Sequence, residues 1–365
     1  MKPPIFDTYP LLRRLPWIEL GEFPTPIQKL GNFGEKEGFS QLYMKCDNQS
    51  SKLYGGNKVR KLEFVLADAK QKGRKTLITN GRVGSNQVLA SGIYGKKAGF
   101  KVIGTVRDQP NTDTVRQNLL LDHHYSIELH YAGSMLGLNL LIGYQFLKQF
   151  LTGNKPYLVP NGASSPLGNI GFVNAIFELK QQIKEKLIPE PNYIIAPAGS
   201  MGTVAGLVVG CRLTGMKTKI VAVRIGKYTM KHLISKIENL CKFIRMTDSA
   251  IPEINISSED LILLEDYLGK GYASITNLGT STMEKMKELE NITLDTTYTA
   301  KALGGGLNWI KNQGLRDSVV LFWNTYNSVD LTHISKKVNY NQLPKHFHNY
   351  FEKPTQEEHS KQRSK

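Results

Sequence analysis

The residues of this chain best suited to covalent chemistry lie in Gly55-Gly56-Asn57-Lys58-Val59-Arg60-Lys61-Leu62-Glu63. Two glycines free the backbone for a tight turn and for close approach to a ligand. The apolar residues Val59, Leu62, Val65, Leu66 and Ala69 then recur on one face. That spacing predicts an amphipathic helix, which Gly73 can stop. Lys58 falls in its first turn, where the positive end of the helix dipole disfavours an ammonium and favours a neutral amine. A neutral lysine in a cleft is a nucleophile for carbonyl groups. The competing reading is a solvated lysine on a basic helix, since Arg60 and Lys61 follow at once.

A second stretch, Gly199-Ser200-Met201-Gly202-Thr203, stands between a β-branched run, Asn192 to Ala196, and an apolar helical run, Val204 to Leu213. Backbone N–H groups and a helix dipole converge at such a turn, and phosphate binds there. No Gly-Lys-Ser/Thr follows, which excludes a Walker A loop. The spacing is G-x-x-G, and the next strand ends in Arg224 where a dinucleotide site wants an acid. A compact cofactor with one phosphate fits; a glycine turn that only packs helix on sheet is the alternative. Paired with an upstream amine, the cofactor is pyridoxal phosphate (PLP).

The elements that must position these stretches alternate. Strands are expected at Gln41 to Lys45, Thr76 to Thr79, Val102 to Val106, Asn192 to Ala196, Lys219 to Arg224 and Val319 to Trp323. Helices are expected between them, including Ile170 to Leu187, Thr282 to Glu290 and one holding the glycines 304–306. This order predicts an α/β fold with parallel-rich sheets and right-handed crossovers. A chain of 365 residues exceeds the usual single domain, so two domains sharing a cleft are expected. We place a large domain at 1–50 and 166–340, a small one at 51–165 and a polar C-terminal tail at 341–365, its end partly disordered. Residues 226–270 read as helices and loops.

Composition narrows the function classes. The net charge of +16 is spread along the chain and accompanies no zinc-finger, RNA-recognition or basic-zipper pattern, so no nucleic-acid partner is expected. Three scattered cysteines, Cys46, Cys211 and Cys241, argue for a reducing, cytoplasmic setting and against a disulfide framework. The eight histidines give no H-x-x-x-H spacing, and no metal is expected. Met1-Lys2-Pro3-Pro4 lacks the short apolar run of a signal peptide, and none is expected. The least charged segment, Tyr131 to Leu147, is broken by polar residues and is read as a buried helix, not a membrane span.

Four motifs in order carry a resemblance. They are the Lys58 stretch, the helix start at Ser85-Asn86-Gln87, Gly199-Ser200-x-Gly202-Thr203, and Leu294-Asp-x-x-Tyr298-Thr-x-Lys301. From about Leu15 to Asp330 the chain resembles the PLP-dependent D-cysteine desulfhydrases and 1-aminocyclopropane-1-carboxylate (ACC) deaminases. The resemblance implies the two-domain PLP fold type II, tryptophan-synthase β-like, usually as a homodimer acting on a small amino acid. It implies that Lys58 holds PLP and moves the Cα proton, and that Asn86 contacts the ring hydroxyl. Ser85 would sit against the substrate carboxylate, and Gly199, Ser200, Met201, Gly202 and Thr203 would cradle the phosphate. Tyr272 and Tyr298 would face the substrate.

The two chemistries of that family separate near the pyridine nitrogen. A carboxylate there keeps the nitrogen protonated and the ring a strong electron sink, as ring-opening of ACC needs. A hydroxyl suffices for β-elimination of a good leaving group. Tyr298-Thr299 and Asn324-Thr325 fall on the desulfhydrase side, giving pyruvate, ammonia and sulfide from D-cysteine. ACC deamination is the alternative, and a catalytically degenerate PLP-binding protein is the other. The chain departs from the family pattern at Arg82, Gly84, Met201, Tyr326 and Asn327, and at the run Cys46-Asp47-Asn48.

Overall fold

The computed structural model describes residues 2–257, 259–356 and 358. They form an α/β fold with two parallel-rich sheets flanked by helices. The chain divides into two compact units, Met1–Phe64 with Ser164–Val329, and Val65–Ala163 with Asp330–Lys365.

In chain order, α1 (Ile5–Thr8), β1 (Ile27–Lys29), α2 (Gly31–Glu37) and β2 (Leu42–Lys45) precede α3 (Lys58–Gln71). The first unit gives way to the second within α3. There follow β3 (Thr76–Arg82), α4 (Asn86–Lys97), β4 (Lys101–Arg107), α5 (Asp113–His124), β5 (Glu128–Tyr131), α6 (Met135–Leu151) and β6 (Pro156–Leu158). The first unit resumes with α7 (Pro166–Lys184), β7 (Tyr193–Ala198), α8 (Gly202–Leu213), β8 (Lys219–Arg224) and α9 (Met230–Thr247). It closes with β9 (Leu261–Leu264), α10 (Asn277–Glu290), α11 (Thr299–Asn312) and β10 (Val320–Trp323). The single-turn helices α12 (Thr332–Ser335) and α13 (Asn349–Glu352) belong to the second unit.

The first unit's sheet runs β1-β2-β10-β7-β8-β9, with only the β1–β2 pair antiparallel. Its two faces are both buried, and the period-2 alternation of a strand supplies both cores. Thus β7 sends Ile194 into one core with Leu321 and Trp323, and Ile195 into the other with Phe322 and Leu303. The second unit's sheet, β5-β4-β3-β6, is wholly parallel. Among the described residues no helix is long and apolar enough to cross a membrane.

Three expectations from the sequence are corrected. Strand β9 lies within 226–270, expected as helices and loops; at four residues it, like β5 and β6, carries too little alternation to be seen. Helix α6 was read as buried, yet it exposes Leu136, Leu140 and Leu151. The polar C-terminal stretch does not stand apart: Phe347 and Tyr350 are buried, and Arg116 Nε donates to the Tyr350 carbonyl at 2.8 Å. Tyr350 in turn donates to Asp108 Oδ1 at 2.9 Å, which ties this stretch to the second unit. The division between units falls at 64, inside α3, and in the loops at 163 and 329. The end of the chain read as disordered, 359–365, lies outside the described residues.

Candidate functional site in the first unit

Lys58 opens α3, as the sequence indicated. The turn before it needs its glycines. Gly56 has φ +90°, and a Cβ there would come within 2.7 Å of the Thr325 carbonyl oxygen. Asn57 N donates to that same carbonyl at 3.1 Å, so the loop after β10 is held against the lysine turn. The Lys58 amine has no hydrogen-bond or ion-pair partner among the described residues, and burial lowers its pKa from 10.5 to about 8. Loss of hydration disfavours the ammonium, and no carboxylate compensates.

The phosphate-type turn lies in the same unit. Helix α8 starts at Gly202 with no side chain capping its first turn. Its free N–H groups and the helix dipole attract an anion. Met201 precedes it with φ +65°, the left-handed conformation that glycine adopts without cost, while its side chain is buried in the core. A Cβ on Gly202 would collide with Ser164 Oγ and Asn169 Oδ1. Asn57 Nδ2 donates to Thr203 Oγ1 at 3.2 Å, tying the lysine turn to this one across 146 residues.

Two further lysines, to which the sequence reading gave no role, stand near these turns. Lys61, one helical turn after Lys58, is fully buried; burial, then repulsion from Lys58 and from Lys236, pushes its pKa well below the ordinary value. Lys236 on α9 donates to the Ser164 carbonyl at 3.2 Å, beside Gly202. Lys61, pressed by the charges of Lys58 and Lys236, is in a setting that a dianion would relieve. The i, i+3 spacing of Lys58 and Lys61 was the available signal.

The tyrosines also converge. Tyr298 packs its ring on Gly199, where a Cβ would sit 3.1 Å from Cε1. Its hydroxyl lies 2.5 Å from that of Tyr272. Thr325 is buried, and its hydroxyl makes no hydrogen bond among the described residues. Thr299 corrects an expectation. Its hydroxyl donates to Asp295 Oδ1 at 2.5 Å and accepts from Asp295 N at 2.8 Å, so it closes a local turn and is not offered to a ligand. The Asp295 carboxylate is likewise taken up by the backbone N–H groups of Thr297, Tyr298 and Thr299.

Behind Lys58, a buried ionic cluster fixes α3. Arg60 donates to Asp47 Oδ1 at 2.7 Å and Oδ2 at 2.8 Å, and to Glu178 Oε2 at 2.8 Å. Lys45 donates to Glu178 Oε1 and to Gln182 Oε1, and Trp323 Nε1 donates to Asp47 Oδ2. Burial would raise the Glu178 pKa, but Arg60 and Lys45 hold it at about 2. Two cations meet two anions, each with its hydrogen bonds made, which is the condition for tolerating buried charge.

Ser85 and Asn86 belong to the other unit. Ser85 caps α4, its Oγ accepting from Gln87 N at 3.2 Å, and Asn86 Oδ1 accepts from Asn118 Nδ2 at 2.9 Å. The remaining candidates, Lys58, Gly199 to Thr203, Tyr272, Tyr298 and Thr325, share the first unit. Their chemistry fits PLP: an unpartnered amine of lowered pKa, an uncapped helix start with Lys236 beside it, and a hydroxyl that makes no hydrogen bond among the described residues. Among the described residues no group of three or more His, Cys, Asp or Glu could hold a metal ion.

Comparison with known proteins gives the same direction. Residues 18–325 match the family model described as pyridoxal-phosphate dependent enzyme. A Pyrococcus horikoshii protein named "Putative 1-aminocyclopropane-1-carboxylate deaminase" is 32% identical over 88% of this chain and 94% of its own length. A Pyrococcus furiosus protein of the same name is 32% identical over 85% and 92%. The crystal structure of an ACC deaminase homologue superposes with TM-score 0.77 at 30% identity, covering 92% of this chain and 98% of that one. Threonine deaminase isoform 2 of Solanum lycopersicum shares the fold, with TM-score 0.58 at 13% identity over 91% and 90%.

Proposed function

Because the chain belongs to the family of pyridoxal-phosphate-dependent enzymes, we propose that it is a lyase or deaminase of a small amino acid, and that its reaction is a D-cysteine desulfhydrase-like β-elimination to pyruvate, ammonia and sulfide. The observation that carries this reading is the Lys58 amine, unpartnered and of lowered pKa, beside the turn Asn324-Thr325-Tyr326-Asn327, whose Thr325 hydroxyl makes no hydrogen bond among the described residues and which holds no carboxylate. When bound, PLP supplies a carbonyl for the substrate amine and a ring that accepts electrons.

The protein's own residues do the rest. A pKa of about 8 in place of 10.5 raises the neutral fraction of Lys58 at pH 7 roughly 300-fold. Lys58 is then both the covalent anchor and the base that takes a proton from Cα. The free N–H groups of Gly202 and Thr203, with Lys61 and Lys236, bind the phosphate. Asn57, bonded to both Thr203 and the Thr325 carbonyl, keeps the lysine turn in register with the phosphate turn. Tyr298 and Tyr272, joined by a hydrogen bond between their hydroxyls, offer a phenolic proton to the leaving group. Thr325 would face the bound ring with a hydroxyl in place of a carboxylate, which would leave the ring nitrogen largely neutral. The resemblance adds Ser85 and Asn86 to the acting residues.

ACC deamination is the second reading, supported by the names of the Pyrococcus relatives. The free thiols Cys46, Cys211 and Cys241 support a cytoplasmic enzyme. The small amino acid and a second copy of the chain are the partners of this reading. The test is a panel of D- and L-amino acids with ACC, read for sulfide, pyruvate and 2-oxobutyrate. Sulfide from D-cysteine supports β-elimination. 2-Oxobutyrate from ACC without sulfide from D-cysteine reverses the order, and bound PLP without any turnover marks a degenerate PLP-binding protein.

A further inference from the structure

The family match ends at residue 325, yet the chain continues into further buried structure within the second unit. The anchors of this C-terminal segment gather on one stretch, residues 108–116, which leads from β4 into α5. Asn111 Nδ2 donates to the carbonyls of Tyr350 at 2.8 Å and Lys353 at 3.0 Å. Arg116 Nη2 donates to the Lys353 carbonyl at 2.8 Å, and Gln356 N donates to the Asn111 carbonyl at 3.0 Å. The Asp108 carboxylate takes two phenols, Tyr350 on Oδ1 and Tyr131 on Oδ2. Covering apolar surface would need only the burial of Leu343 and Phe347. The polar anchors instead converge on a single loop.

That loop is bonded on its other side to the start of α4. Arg82 Nη1 donates to the Asp108 carbonyl, and Val83 N donates to the Arg107 carbonyl at 2.8 Å. Asn118 on α5 donates through Nδ2 to the Gly84 carbonyl at 2.8 Å and to Asn86 Oδ1 at 2.9 Å. Gly84 has φ +72°, and a Cβ there would lie 2.7 Å from Val115 Cα, so the turn before Ser85 rests directly on α5. Asp108 is held from two directions, its carboxylate by the C-terminal segment and its carbonyl by Arg82. Arg82 and Gly84 are two of the positions at which the chain departs from the family pattern, and both pack against residues 108–115.

We propose that the C-terminal segment positions the helix start Ser85-Asn86, with Tyr350 and Asp108 as the positioning residues, and thereby sets the affinity for the substrate's carboxylate. The inference rests on the reading of Ser85 as the carboxylate contact. A helix start binds an anion through backbone N–H groups and a short hydroxyl, so its aim follows the backbone of the turn. Ser85 Oγ, which accepts from Gln87 N, moves with that turn. A turn released from Asp108 loses aim on the carboxylate, while Lys58, in the first unit, keeps its surroundings. The loss therefore falls on KM more than on kcat, as it does when uniform binding is removed.

The test is hydrogen exchange of the full-length holoprotein at the amides of Val83, Ser85 and Gln87, alongside KM and kcat for the panel substrate that the wild type turns over best. Tyr350→Phe keeps the ring and removes one hydrogen bond to a carboxylate. It is expected to speed exchange at these amides and to raise KM, each by about three- to tenfold, with kcat within about twofold. Arg82→Met acts on Asp108 from the other side, so the double variant should lose less than the two single losses together. Lys353→Ala removes an exposed side chain, keeps the anchoring carbonyl and is expected to change neither quantity. The proposal is overturned by exchange that Tyr350→Phe leaves unchanged, by faster exchange with KM unchanged, or by additive losses in the double variant. A wild type that turns over no amino acid of the panel defeats the proposed reaction instead, and exchange alone then decides whether the segment positions the turn.

Discussion

Arg60 and Lys58 stand two residues apart on one helical turn and meet opposite surroundings. Arg60 is saturated, with Asp47, Glu178 and Thr25 accepting from its guanidinium and the Phe23 ring stacked 4.2 Å away. Lys58 is bare, with burial and no counter-ion. The first arrangement keeps a charge and fixes a backbone. The second weakens a charge and leaves a lone pair available. Arg60 is buried and Lys58 half-buried on the same turn of helix, and it is the partners that tell the structural cation from the reactive one.

The comparison breaks most sharply on Lys58→Ala. Turnover is expected to fall by at least about 10³-fold while the melting temperature changes little, because no native bond is lost. Borohydride reduction followed by peptide mapping should no longer fix the cofactor to the chain. A variant that retained both turnover and fixation would remove Lys58 from the mechanism.

Glu178→Ala should do the reverse. Leaving Arg60 and Lys45 buried without their shared carboxylate costs about 3–5 kcal/mol, read as a lower denaturant midpoint. Cofactor affinity should drop only as far as α3 loosens.

The third prediction concerns pH. The folded pKa of Lys58, about 8, lies below its ordinary 10.5. Protonation therefore opposes folding of the cofactor-free protein below about pH 8, and that penalty fades as pH rises from 8 to 10.5. The stability of the cofactor-free wild type relative to Lys58→Met should climb across that window. Amine labelling of Lys58 should show a midpoint near 8. A flat difference, or a labelling midpoint near 10.5, would return Lys58 to the class of solvated lysines.

The smallest effect belongs to Met201→Gly. Relief of the left-handed backbone contributes about 1–2 kcal/mol, whereas removing a buried methionine costs about 2–5 kcal/mol. The burial term wins, and a net loss of about 1–2 kcal/mol is expected in chemical denaturation. A gain instead would mean that the side chain contributes nothing beneath the phosphate turn.

Much of the candidate site is legible in the sequence because it is local. A glycine turn, a lysine at a helix start and a Gly-Ser-x-Gly-Thr turn between strand and helix are each specified within about ten residues, by backbone freedom and hydrophobic period. The strand Lys219–Arg224 and the helix from Lys58 were readable for the same reason. Lys61 was quoted as part of a motif and given no role, since nothing in its immediate neighbours says that it is buried. Thr299 read as a ring partner because its own turn, closed by Asp295, is visible only once the backbone folds.

The sequence by itself determined which residues could do chemistry and which elements carry them, because propensity and periodicity act over a few residues. Only the tertiary structure decided which cations are satisfied and which are bare, and that Asn57 reaches Thr203. It also decided that α6 turns its leucines outward, since a helix rich in leucine on every side does not announce which face meets the sheet. Dielectric surroundings, hydrogen-bond partners and the choice of a buried face are properties of neighbours distant in the chain, and no local pattern encodes them.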